Sequence, residues 1–92
     1  MYTKQWLIDL PISTIFVMQD GEQYTLYEKQ YKKKDRVQRY LKRPFLKEPV
    51  RIYYSDEEQQ CKLAYPEPNW DFPLEGRIKG VIYPQECVLE AA

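Results

Sequence analysis

The sequence predicts a mostly β domain of the α+β class: a small barrel or sandwich of five or six strands, with one short basic helix inserted. Three observations carry this expectation. Runs of β-branched and aromatic residues recur between turn signals. Aromatic residues make up 15% of the chain, and the nine tyrosines among them combine large apolar area with a polar tip, which suits sheet faces. Seven prolines against three glycines mark firm loop boundaries rather than strained turns. A chain of 92 residues predicts one domain, 1–92, and its 43% apolar content is enough to offset chain entropy.

The first strand is expected at "STIFVMQ" (Ser13 to Gln19), which ends at Asp20-Gly21. That dipeptide followed by "EQYTLYEK" reads as a hairpin turn, after which Tyr24 and Leu26 share one face and Thr25 and Tyr27 the other. Tyr24, Tyr27 and Tyr31 also fit helical spacing, but Thr25 and the preceding turn favour strand. The helix is expected at "KKDRVQRYLKR" (Lys33 to Arg43), where Val37, Tyr40 and Leu41 form a narrow apolar stripe and Pro44 stops it.

Beyond that loop, "VRIYYS" (Val50 to Ser55), an acidic tip "DEEQQ" and "CKLAY" (Cys61 to Tyr65) predict a second hairpin. "PEPNWDFP" (Pro66 to Pro73) is too rich in proline for a central strand and reads as an extended loop. In "LEGRIKGVIYP" the closing strand is expected, with Gly76 and Gly80 marking a bulge or a close backbone approach.

Charge is uneven along the chain although the formal net charge is zero. Residues 1–28 carry one Lys against four acids, residues 29–47 nine bases against Asp35, and residues 48–92 four bases against nine acids. A cationic middle between acidic flanks predicts an oriented interaction surface. In one reading Lys32, Lys33, Lys34, Arg36, Arg39, Lys42 and Arg43 contact phosphates or an acidic protein surface, with Tyr31 or Tyr40 stacking on bases. In the other they form a solvated helix face. Trp70 and Phe72 either anchor a protein partner or plug one end of the barrel. The "SDEEQQ" tip lacks the alternating oxygen ligands and Gly of a calcium loop and reads as a solubilising turn.

Several chemistries are excluded. The chain has no His and only Cys61 and Cys87, too few ligands for a structural zinc site. Without His there is no Ser-His or Cys-His dyad, and the two cysteines, far from CxxC spacing, read as reduced thiols. No Gly-rich phosphate loop is present. No cofactor, metal or small-molecule substrate is expected. No apolar run approaches the roughly 20 residues of a membrane helix, and the first residues read as mature protein rather than a signal peptide, which predicts a cytoplasmic protein without a membrane partner.

Taken in order, "IFVMQDGEQYTLYEK", "KLAYPEPNWDFP" and "LEGRIKGVIYP" resemble the C-terminal part of the LexA and phage-repressor autopeptidase domain, in broken blocks over residues 13–84. The resemblance implies that family's β fold, interrupted here by the basic helix. Its catalysis does not carry over. The family's Lys falls at Tyr27, or at Lys29 after a two-residue shift, and its Ser nucleophile would precede the first residue; Ser13 and Ser55 lie outside the family context. The expected function is therefore non-catalytic: a protein-interaction or self-assembly module, or alternatively a nucleic-acid-binding accessory protein using residues 29–47.

Overall fold

A computed structural model describes residues 2–31, 36–66 and 69–84. Its first element is a helix, α1 (Lys4–Asp9), where the sequence signals a strand only later. Thr3 caps α1 by accepting the backbone N–H of Trp6 on its hydroxyl at 3.1 Å. Leu10 ends the helix just before Pro11, which cannot continue it. This is the only α-helix among the described residues, and it is neither basic nor inserted between hairpins. No helix among these residues is long and apolar enough to cross a membrane.

Seven antiparallel strands follow, one or two more than expected: β1 (Ile15–Met18), β2 (Gln23–Tyr31), β3 (Arg36–Lys42), β4 (Val50–Ser55), β5 (Gln60–Tyr65), β6 (Trp70–Pro73) and β7 (Ile78–Ile82). Their order in the single sheet is β6-β5-β4-β3-β2-β1-β7, a meander whose last strand returns beside the first. The sheet curls into a half-barrel. The chain leaves one edge at β6 and enters the other at β7 through the short turn 74–77, in which the Arg77 N–H donates to the Leu74 carbonyl at 3.0 Å. Leu74 in this turn is fully buried, and its N–H donates to the Cys61 carbonyl at 2.9 Å.

The β1–β2 hairpin turns as its Asp-Gly dipeptide predicts. The Gly21 N–H donates to the Met18 carbonyl, Gly21 sits at φ +90°, and the Met18 N–H then donates to the Glu22 carbonyl, giving a three-residue loop with glycine in the left-handed position. Tyr24 and Leu26 point inward and Thr25 outward.

The expected basic helix over 33–43 does not form. Its described part is strand β3, paired with β2 at seven positions from Thr25–Lys42 to Tyr31–Arg36. The spacing of Val37, Tyr40 and Leu41 fits a helix locally, yet the same residues alternate, with Leu41 buried on one face and Tyr40 on the other. Pairing Leu26 with Leu41 and Tyr27 with Tyr40 stabilises two strands at once, and this long-range gain exceeds the weak local helix preference. Proline-rich "PEPNWDFP" is not wholly loop either: Trp70–Pro73 pairs with β5, at the sheet edge where proline costs no ladder hydrogen bond.

The second expected hairpin, β4–β5, forms in register from Arg51–Ala64 to Ser55–Gln60. The expected bulge lies in β7: Val17 faces Gly80 while Met18 faces Ile78, leaving Lys79 as the extra residue. Gly76 lies outside the strand, in the 74–77 turn, at φ +92°.

The core is the concave face of the sheet. Phe16, Met18, Tyr24, Leu26, Leu41, Val50, Ile52, Cys61, Leu63 and Ile78 line it, and Leu7 and Leu10 of the α1 segment cover it. Trp6 meets Phe16 edge-on at 6.1 Å between centroids and donates its indole N–H to the Tyr83 hydroxyl at 3.1 Å. The aromatic group closing the barrel interior is therefore Trp6 with Tyr2, packed at 4.5 Å, from a stretch where the sequence predicts no element. Buried Cys61 carries a free thiol that donates weakly to the Tyr2 carbonyl at 3.5 Å, and burial pushes its pKa to about 11; Cys87 lies outside the described residues.

Candidate interaction surfaces

As a β-hairpin, the basic segment separates its charges by the two-residue period of a strand. Arg39 turns toward the core side. One terminal nitrogen donates to the carbonyls of Leu7 at 2.9 Å and Leu10 at 2.6 Å, and the other pairs with Glu28 at 2.9 Å. These carbonyls lie at the C-terminal end of α1, where the helix presents partial negative charge and unmatched acceptors. Arg39 therefore docks the helix and is not a free cation for a ligand.

Arg43 is also committed. Its Nε and Nη2 both donate to the Glu48 carbonyl, at 3.0 and 2.7 Å, and its guanidinium lies 5.7 Å from the Tyr65 ring centre. This clasp closes the β3–β4 loop between Pro44 and Pro49. At its apex Phe45 is 89% exposed and Leu46 56% exposed. Lys47 joins two shallow depressions at the base, one lined by Ile12, Thr25, Tyr27, Lys42 and Pro49, the other by Arg43, Leu46 and Glu48. In the sequence this stretch reads only as a connector, and the two prolines around Phe45-Leu46 are its signal.

The convex face holds further charges of the described residues. Tyr27 and Tyr40 stack across the strand pair at 5.8 Å with 25° between their planes, and the Tyr40 hydroxyl donates to Gln38 at 2.8 Å. Register places Lys29 and Lys42 on this face along β2 and β3, and Arg51 beside Tyr40 in β4. Arg51 lies 5.0 Å from the centre of the Tyr53 ring. Tyr53 donates to Asp71 at 2.6 Å, and burial together with that bond raises its pKa. Lys62 pairs with Glu58 at 2.6 Å. Of the other residues expected to bind, Lys32, Lys33 and Lys34 lie outside the described residues, and Tyr31 and Arg36 are placed only as strand ends.

Trp70 and Phe72 divide. Phe72 packs edge-on against Tyr65 at 5.6 Å, and the Arg77 guanidinium covers its ring at 3.6 Å. It is held between Tyr65 of β5 and Arg77 of the 74–77 turn. Trp70 meets Phe72 edge-on at 5.8 Å while remaining 57% exposed on the edge strand.

A cleft of about 470 Å³ opens between α1 and the splayed ends of β3 and β4, with Ile8 and Val37 exposed at its rim and Glu28 and Arg39 at its floor. The ion pair already matches those two charges, and Lys4, Gln38 and Arg51 make the rest of the lining mixed rather than apolar. Among the described residues no group of three or more Cys, Asp or Glu side chains could hold a metal ion. In the acidic β4–β5 turn Asp56 pairs with Lys4 at 3.1 Å and Glu58 with Lys62. The chain matches no protein-family model, no curated protein and no solved structure, so its functional reading rests on these surfaces.

Proposed function

We propose that the protein is a non-catalytic protein-interaction module whose principal anchor is the clasped loop at Phe45 and Leu46. One observation carries this reading: a large aromatic side chain is held almost wholly in water on a loop that is fastened shut. Leaving Phe exposed forgoes about 2 kcal/mol of burial relative to a core position. Two prolines and the Arg43–Glu48 clasp reduce the loop's freedom before any contact is made, which lowers the ordering cost of association. Aromatic anchors presented by such preordered loops are typical centres of protein contacts. Trp70 on the edge strand provides a second exposed ring.

Photocrosslinking from a benzophenone side chain introduced at position 45, compared with one at exposed Glu57, tests the reading. A discrete adduct, with a partner or with a second copy of the chain, is expected from position 45 alone. The adduct should vanish when Leu46 is replaced by Asp, without a change in melting temperature. Equal crosslinking from both positions, or none from position 45, removes the proposal.

A further inference from the structure

We propose a second binding site, on the convex face of the sheet, for single-stranded nucleic acid. Side chains follow one another along the β2–β3 pair in the order Lys42, the stacked rings of Tyr40 and Tyr27, and Lys29. Lys42 pairs with Thr25, so the two lysines lie four residues apart along the sheet, about 13 Å at the rise of an antiparallel strand. Cation, ring, ring, cation is the arrangement an extended strand of nucleotides requires, with phosphates at the ends and bases against the rings. Arg51 stands one strand over, level with Tyr40, and extends the cationic track sideways.

Lys29, Lys42 and Arg51 give the face its cations, while Asp71 accepts from the Tyr53 hydroxyl and Glu58 pairs with Lys62. Tyr27 and Tyr40 are each half-buried, so their rings are held in place while part of each stays open to solvent. The paired rings favour a single strand, whose unpaired bases can lie down on them, whereas the bases of a duplex are stacked on one another. Arg39 and Arg43, which the basic run had suggested as contacts, take no part because α1 and the β3–β4 loop use them.

The test is fluorescence anisotropy with a labelled oligothymidylate of about 12 nucleotides, within the usual range of site sizes for such folds. Three phosphate contacts, from Lys29, Lys42 and Arg51, predict a loss of about twentyfold in affinity between about 50 and 200 mM salt. Tyr27→Ala and Tyr40→Ala should each weaken binding about tenfold, while Tyr27→Phe, which keeps the ring, should bind like the parent. Arg51→Gln should flatten the salt dependence by about 0.7 of a log unit per log unit of salt. Phe45→Ala should leave oligonucleotide binding unchanged, which separates this site from the loop anchor. The proposal is overturned by no binding at about 50 mM salt, by alanine variants that bind as tightly as the parent, or by a blunt duplex bound more tightly than the single strand. It also falls if polyglutamate competes as well as unlabelled oligonucleotide, since that would mark a docking face for acidic proteins.

Discussion

Arg39 shows how a single side chain can change its meaning between sequence and structure. In the linear chain it is one of nine bases in nineteen residues; in the fold it joins three elements, donating to two carbonyls of the α1 end and pairing with Glu28 of β2. Hydrogen bonds from a charged donor contribute about 1.5–3 kcal/mol each, and removing the donor leaves its acceptors unmatched. Arg39→Ala is expected to lower stability by about 3 kcal/mol in urea unfolding, with loss of the packing of Trp6 on Phe16 visible in near-ultraviolet circular dichroism. Arg39→Lys should recover only part, because one ammonium cannot span both carbonyls and a carboxylate. If Arg39→Ala unfolds at the parent's midpoint, the helix is held by its apolar contacts alone.

At the scale of elements, the hairpins were legible where their turns carry special residues, and illegible where only pairing decides. Asp20-Gly21 announces the β1–β2 turn because the loop needs a residue at positive φ, and the Gly21 backbone has that conformation. Gly21→Ala forces a Cβ into it and is expected to cost about 1–2 kcal/mol, although nothing lies within 4 Å of the added atom. Differential scanning calorimetry would register this as a lowered melting temperature, and an unchanged one would show that the turn relaxes freely. For β3 no such residue exists. Val37, Tyr40 and Leu41 satisfy a helix and a strand equally well, and only the presence of β2 alongside resolves the choice. β6 was hidden by a different effect: its prolines disfavour a central strand but are tolerated at an edge, and position within a sheet is not written in a local window. α1 did carry a signal, Thr3 as cap and Pro11 as stop, on either side of a single apolar turn.

Across the whole molecule, the curled sheet brings Tyr24 of β2 to Tyr65 of β5, strands that are not neighbours in the sheet. Burial of Tyr24, reinforced by its hydrogen bond and charge interaction with Tyr65, raises its pKa from 10.0 to about 12. Between those values the unfolded chain gives up the phenolic proton while the folded chain keeps it, so the unfolded state binds fewer protons and stability falls as pH rises. Stability is therefore expected to be level below pH 10 as far as this group is concerned, and to decline from about pH 10 to about 12 by on the order of 2 kcal/mol. Tyr53 shifts in the same direction, so Tyr24→Phe should shallow the decline without abolishing it. Urea midpoints measured at several alkaline pH values check this, and a decline of the same slope in Tyr24→Phe would place the titrating group elsewhere.

The same curvature sorts the candidate sites. The described part of the basic run divides into a helix dock, a loop clasp and a convex face, because a strand sends successive side chains to opposite sides. The face proposed for nucleic acid draws Arg51 from β4, beyond the basic run, and register alone brings it beside Tyr40.

By itself the sequence determined that the domain is mostly β, where two of its hairpins turn, and which chemistries lack their residues. These follow from composition and from residues whose local conformation is restricted, so they can be read in short windows. The tertiary structure decided that β3 is a strand, that β6 joins the sheet edge, that α1 closes the core, and which arginines are left to meet a partner. Each of those is settled by groups far apart in the chain competing for the same hydrogen bonds and the same buried surface, and the outcome exists only once they are brought together.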